Sequence, residues 1–570
     1  MPVANSATSS ISGSLPKWQL ALAVGAPVAL GLGYMYYKNI NQGKSKGSDK
    51  TNGTATEKQI SIDGDSGKHL TKQPETLAAK AERYKNLGNQ AFGAKKYEEA
   101  ISYYNKAIET CPSDQNIELA KNYQNRAAAY EALEKYDAVI DDCTKALELN
   151  PKYTKALLRR ARVLEKTNQL ELALEDVTAA CILEKFMSQS TLSMADRVLK
   201  ELGKQHAQEH MKTRKLIMPS KYFIKAYFSS FKSDPIFSEN VVDDQNVNQG
   251  LQKVIEAFKE EKYDTMMDLC TEEIEKCTEE QTSEKMKLML LRGTFYLLLG
   301  EHNKAIEDIE AIINNDKASN GVKVNALIKR ATMNMQLENP DQCFADFDMA
   351  TKIDSECGDI YHHRGQVNLL LDKVEEAKND SEKALKMNPN SGIAFAQKSY
   401  MDYRYAAMTR SLSTIDNVMK EFEKAFELFP DCCECYTLFA QMLCDSQSYD
   451  KADTYFAKAI EKDPTNANIR VHRGLLQLQW TGNVEKAVEY INKALELDDK
   501  CEFGYETLGT IEVQRGNLKK AIELFDTALK LARTSLEFTH IFSLQDAAKA
   551  QLKVSERLGS ESLFGLPGMA

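Results

Sequence analysis

The protein has 570 residues and a net charge of −10 at neutral pH. It is long enough for three or more ordinary domains and too acidic for a general polyanion-binding surface, so no nucleic-acid partner is expected. Its 12 cysteines are scattered through helix-patterned sequence, which fits a reducing compartment and argues against a disulfide framework.

Residues 18–37, WQLALAVGAPVALGLGYMYY, carry no charge and match one hydrocarbon thickness as a helix. Trp18, Tyr34, Tyr36 and Tyr37 stand at the ends, as interfacial aromatics do. The run exceeds a signal-peptide core and ends in tyrosines, not in a small-residue cleavage site, so a retained transmembrane anchor is expected. Lys38, Lys44 and Lys46 follow the span while only Lys17 precedes it. The basic flank stays cytosolic, which sends residues 1–17 across the membrane. Residues 38–76 are rich in Lys, Gly, Ser, Thr and Asp and read as a flexible polar linker.

From Ala81 a unit of 34 positions begins to recur. Gly88, Ala100 and Ala107 take positions eight, twenty and twenty-seven, and Pro112 follows at thirty-two. The second unit repeats this with Ala127, Val139, Ala146 and Pro151, and the third with Ala161, Ala173 and Ala180. A later series runs from Gly293 and Ala305 through Gly365, Ala377, Ala384 and Pro389 to Gly509, Ala521 and Ala528. A degenerate unit begins near 251. This is the pattern of a tetratricopeptide repeat: two antiparallel helices that approach at small residues, with proline closing the second helix. The fold class is therefore all-α, a tetratricopeptide-repeat superhelical solenoid of about 10–11 repeats with an N-terminal transmembrane helix. The expected order is a three-repeat module over 77–187, a helical junction over 188–250, a longer repeat module over 251–558, and a loose tail over 559–570. The junction carries Pro219 and the aromatics Tyr222, Phe223, Tyr227, Phe228 and Phe231, expected to pack the boundary between modules.

No catalytic set emerges, and neither enzyme activity nor a cofactor is expected: there is no phosphate loop, serine elbow or His-Glu zinc helix. Cys432, Cys433 and Cys435 lack a second ligand pair at zinc spacing. His362 and His363 are adjacent, share no helical face, and read as structural or surface residues.

A binding set does emerge. Lys85 and Asn89 lie four apart on the first helix of repeat one. Asn125 lies on the first helix of repeat two, and Lys155 and Arg159 lie four apart on that of repeat three. Stacking brings these helices side by side and presents three cations and two amides to one groove. An arginine fork and mobile ammonium groups suit a carboxylate, and the amides suit an extended backbone. A polypeptide's carboxyl terminus preceded by acidic side chains satisfies the set. Arg160 and Arg162 flank it, either adding positive field or pairing with neighbouring glutamates.

These five residues, within KNLGN, NRAAAY and KALLRRA, resemble the dicarboxylate clamp of chaperone-binding tetratricopeptide domains. Together with the anchor, the linker, the MPSKYFIKAYFSSF junction and the longer second solenoid, they make the whole sequence similar to the family of 70 kDa preprotein receptors of the mitochondrial outer-membrane import translocase. The resemblance implies docking of the Glu-Glu-Val-Asp tails of cytosolic 70 and 90 kDa heat-shock chaperones. It implies acceptance of mitochondrial preproteins, especially multi-pass carriers, and transfer to import-channel components. It also implies a single-pass location in the outer mitochondrial membrane, through 18–37, with the body in the cytosol. By phase within the repeat, Arg364, Asn368, Gln441 and Arg473 are candidates for lining the preprotein groove. The alternatives are a co-chaperone adaptor on another cytosol-facing membrane and a scaffold without chaperone contact.

Overall fold

The computed structural model describes residues 76–237 and 249–559. The expected span 18–37, its flanks 1–17 and 38–75, and the tail from 560 lie outside the described residues. Among the described residues no helix is long and apolar enough to cross a membrane.

Among the described residues the regular elements are helices. The three N-terminal repeats are α1 (Leu77–Gly93) with α2 (Tyr97–Thr110), α3 (Asn116–Ala132) with α4 (Tyr136–Leu149), and α5 (Thr154–Lys166) with α6 (Leu170–Leu183). Two unpaired helices follow, α7 (Gln189–Thr213) and α8 (Lys221–Ser229). The later pairs are α9 (Gln249–Lys259) with α10 (Met266–Lys276), α11 (Thr282–Leu299) with α12 (His302–Ile313), and α13 (Asn320–Gln336) with α14 (Pro340–Ile353). Next come α15 (Gly358–Leu370) with α16 (Val374–Met387), α17 (Gly392–Thr409) with α18 (Leu412–Leu428), and α19 (Cys433–Asp445) with α20 (Tyr449–Lys462). The last pairs are α21 (Ala467–Thr481) with α22 (Val484–Leu497) and α23 (Glu502–Gln514) with α24 (Leu518–Leu531), before the closing helix α25 (Ser535–Leu558).

The reason for the small residues is visible at Gly88. A Cβ there would lie 2.5 Å from the Tyr104 ring, so the first helix touches the second through bare backbone. Ala100, Ala107, Ala127, Ala146 and Ala161 are fully buried at the same kind of crossing. The first helix of each N-terminal repeat is followed by a left-handed residue. Lys95, Glu134 and Asn168 have φ of 60°, 55° and 57°. The next amide then reaches back over the helix end, as Lys96 N–H does to Ala91 O at 2.9 Å, and the backbone reverses into the second helix.

A second periodicity appears only in the structure. An arginine on the first helix grips an aspartate sixteen residues later on the second: Arg126–Asp142, Arg160–Asp176, Arg292–Asp308, Arg330–Asp346 and Arg364–Asp380. The closest N–O distances are 2.6 Å, and 2.7 Å for the last. Forked guanidinium–carboxylate pairs of this kind are directional and largely dehydrated, so they fix the register of the helix pair.

The protein divides into two units. The first comprises 76–203, 514–519 and 545–559; the second comprises 204–237, 249–513 and 520–544. The division falls inside α7, α23, α24 and α25. In the first unit the end of α25 packs on the three repeats: Val554 joins the core with Leu157 and Ile182, Ala550 joins Leu164 and Val177, and Lys553 meets Glu175 at 2.7 Å. That end of α25 is thus part of the N-terminal module.

In the second unit the aromatic segment after Pro219 is core, not boundary packing. Tyr227, Phe228 and Phe231 are buried with Phe295, Leu291 and Phe347. Phe228 meets Phe258 edge-on at 4.8 Å. The amides of Lys232 and Ser233 donate to the Asp359 carboxylate at 3.0 and 2.8 Å. Lys329, buried over the Phe231 ring, has its ammonium pushed down to about 8 by desolvation.

Candidate clamp and cavity

The first unit brings the predicted binding residues onto α1, α3 and α5, the first helices of three successive repeats. Asn125 Nδ2 donates to Asn89 Oδ1 at 3.2 Å, and Tyr104 Oη donates to the same oxygen at 2.9 Å. The Asn89 carbonyl is therefore fixed by two donors, and its Nδ2 and the Asn125 Oδ1 remain for a peptide backbone. Burial pushes the Tyr104 hydroxyl up to about 12, so it stays a donor.

Two of the three cations already hold carboxylates. Lys85 Nζ lies 2.6 Å from Glu82 and 3.0 Å from Glu118. Burial works to lower its basicity, but these two hydrogen bonds leave it raised. Arg159 Nε lies 2.7 Å from Glu131, and its Nη1 donates to the Gln124 carbonyl at 3.1 Å. Burial works against the Glu131 carboxylate, but the Arg159 hydrogen bond and the nearby Arg162 charge hold it below the usual range. Lys155 is the exposed cation of the set, with no hydrogen-bond or ion-pair partner among the described residues. The two flanking arginines separate: Arg160 staples Asp176, while Arg162 lies 3.3 Å from Glu131 at the site.

Sequence reasoning missed the acidic lining made by Glu118 and Glu131, and the hydroxyls of Tyr104 and Tyr153, the latter donating to Gln124 at 3.1 Å. Tyr104 was legible only as packing. The glutamates carry no repeat-phase signal that separates them from surface charge.

The second unit holds a cavity of roughly 370 Å³. One wall is the segment 217–230; the other is built from first helices and loops of the later repeats. Met218, Phe223, Ile393, Ile469, Phe503 and Leu531 give it apolar surface. Glu434, Asp463, Asp498, Glu502, Glu506 and Glu537 outnumber Lys225, Lys500 and Arg533 among its ionisable side chains. Tyr222 Oη donates to Asp463 at 3.0 Å, and Lys500 Nζ donates to the Met218 carbonyl at 2.9 Å, tying the two walls together. Burial pushes His472 down to about 4, so the ring is neutral, and its Nε2 has no partner among the described residues.

The four residues that phase proposes for a preprotein groove stand apart from this cavity. Arg364 and Asn368 both spend their polar atoms on Asp380, and Arg473 grips Asp453 at 2.8 Å. Gln441 is buried with neither amide atom bonded. None of the four lines the cavity. The arginine position read as groove-facing is the one whose fork reaches the aspartate of a second helix. His362 and His363 are interior residues: burial holds His362 to about 4, and His363 packs 4.4 Å from the Phe231 ring. Among the described residues no three His, Cys, Asp or Glu side chains are grouped to hold a metal ion.

Models of the tetratricopeptide repeat match residues 81–114, 120–153, 358–391 and 438–500. The protein is 43% identical over 573 residues to the mitochondrial import receptor subunit TOM70 of Homo sapiens, covering 96% of its own length and 94% of the relative. It is 28% identical over 511 residues to the subunit of the same name from Saccharomyces cerevisiae, covering 82% and 80%. The crystal structure of the yeast Tom70 aligns with 85% of this protein and 98% of its own length, at 25% identity and a TM-score of 0.49.

Proposed function

We propose the following division of labour for a protein that belongs to the TOM70 family of mitochondrial import receptor subunits. It is an import receptor and not an enzyme. The first unit docks cytosolic 70 and 90 kDa heat-shock chaperones through their Glu-Glu-Val-Asp tails. The observation that carries this is the alignment of Lys85, Asn89, Asn125, Lys155 and Arg159 across three successive first helices, with Asn89 and Asn125 bonded to each other. The terminal carboxylate falls to the Lys85, Asn89 and Asn125 end, and an acidic side chain to Arg159 and Lys155. An anion entering between them displaces Glu118 and Glu131 from the cations, and the amides of Asn89 and Asn125 meet the peptide backbone.

The second unit accepts the preprotein. Its cavity joins apolar walls to an acidic lining, which suits hydrophobic clients such as multi-pass carriers with internal targeting signals. Client contacts belong to lining residues such as Phe223, Ile469 and Glu434. Transfer to the translocation-channel components follows. Residues 18–37 anchor the protein in the outer mitochondrial membrane, with the N-terminus in the intermembrane space; the uncharged span and its trailing lysines support this.

The test is import into isolated mitochondria that carry either this protein or its Arg159→Ala form as the only such receptor. A multi-pass carrier delivered by a 70 kDa chaperone enters efficiently with the first and poorly with the second. Equal import through both contradicts chaperone docking at the clamp.

A further inference from the structure

The three cysteines at the start of α19 have no part in clamp or client binding as assigned above, yet two of them are arranged for chemistry. Cys432 caps α19 and Cys435 lies in its first turn, with Cys435 N–H donating to Cys432 O at 3.1 Å. That turn brings the two Cα atoms into the range a disulfide spans. Both sulfurs converge on Gly392. A Cβ at Gly392 would lie 3.0 Å from Cys432 Sγ, and Cys435 Sγ donates to the Gly392 carbonyl at 3.6 Å. Cys433, between them, turns instead to the cavity wall.

We propose that Cys432 and Cys435 form a reversible dithiol–disulfide pair in the turn whose Cys433 and Glu434 line the second-unit cavity. The co-reactant is a small-molecule disulfide of the glutathione type. Cys432 is the attacking thiol, because it is partly exposed whereas Cys435 is fully buried. Its Sγ donates to Glu434 Oε2 at 3.4 Å, which gives the departing proton an acceptor. The Cys432 thiolate attacks one sulfur of the small disulfide; that S–S bond breaks and a thiolate leaves. Cys435 then attacks Cys432 Sγ, expelling the second small thiol and closing the protein disulfide. Two electrons pass from the protein dithiol to the small disulfide, and the two thiol protons finish on the released thiols. Adjacent Cys432 and Cys433 lack the intervening turn that closes Cys432 onto Cys435. Glu434 and Thr437 of the same turn line the cavity, so oxidation locks a piece of the cavity wall.

The experiment equilibrates the full reduced protein with graded ratios of glutathione disulfide to glutathione, quenches in acid, alkylates and maps the peptides. Cys432 and Cys435 are expected to lose alkylation together, in one peptide lighter by two hydrogens, before the other cysteines respond. Cys435→Ser is expected to leave a single glutathione on Cys432. Cys432→Ala is expected to keep Cys435 reduced at the same ratio, a readout that holds even where a change at buried Cys435 disturbs folding. Independent alkylation of the two thiols, stable glutathione on Cys432 in the unsubstituted protein, or oxidation of Cys435 without Cys432 each overturns the proposal.

Discussion

Arg159 is held by Glu131 at 2.7 Å while its other arm donates to the Gln124 carbonyl at 3.1 Å, so the strongest anion-binding group of the clamp is already engaged. Replacing Glu131 by Gln removes the internal competitor and leaves Arg159 oriented by the Gln124 carbonyl. Tail-peptide affinity is expected to rise, by about threefold to tenfold for the loss of one half-buried competing ion pair. Calorimetric titration of the variant checks this. Weaker binding would mean that Glu131 orients Arg159 for the tail instead of competing with it.

The arginine–aspartate staples are structural. Asp346 is fully buried and accepts from Arg330 and Asn334. Asp346→Ala leaves the guanidinium without its partner, and breaking a buried pair costs about 3–5 kcal/mol. Urea unfolding is expected to show a lower midpoint for the second unit with tail binding at the first unit unchanged. An unshifted midpoint would show that the staple contributes nothing to the register of the helix pair.

Acid should weaken the second unit. An unfolded histidine takes up a proton as the pH falls through about 6.5. In the fold His362 and His472 stay neutral to about 4, because burial penalises the charged ring. Between those values the unfolded state binds more protons, so stability falls by about 1.4 kcal/mol per pH unit for each histidine, and the loss ends below about 4. His540 runs the other way. Burial lowers its basicity, but the charge and hydrogen bond of Glu506 leave it raised. Its contribution is complete below the unfolded value and is lost as the pH rises through the folded one. Burial lowers His210, His302 and His363 as well, so five histidines oppose His540, and urea midpoints are expected to drop from pH 7 to pH 5, less steeply in His472→Gln. A flat profile would mean that these rings accept protons inside the fold.

The repeat architecture was legible because one constraint recurs: two helices touch only where Gly88, Ala100 or Ala107 leaves room, and the same spacing returns along the sequence. The placement of the candidate clamp residues on three stacked first helices was legible for a related reason. Lys85, Asn89, Asn125, Lys155 and Arg159 sit at repeat phases that stacking must align. What stayed hidden depends on distant partners. Asp359 accepts from amides more than 120 residues earlier, and Tyr222 reaches Asp463 across 241 positions. No local pattern announces such pairs, so the segment after Pro219 read as a boundary. Phase also does not announce the aspartate partners of two groove candidates: Arg364 forks to Asp380 on the second helix of its own pair, and Arg473 to Asp453 on the second helix of the preceding pair. Glu131 carries no local signal either: its partner is Arg159, 28 residues later.

In the proposed function the first unit reads an acidic carboxyl terminus. The most direct test is calorimetric titration of residues 77–570 with a peptide ending in Glu-Glu-Val-Asp, beside the Arg159→Ala form. The unsubstituted protein should bind, with affinity that falls as salt is added, since charge pairing contributes much of it. The variant should lose about 2–5 kcal/mol, at least about 30-fold, with its helical signal intact. Equal affinity in both proteins, or binding indifferent to salt, would contradict carboxylate recognition at Lys85, Asn89, Asn125, Lys155 and Arg159.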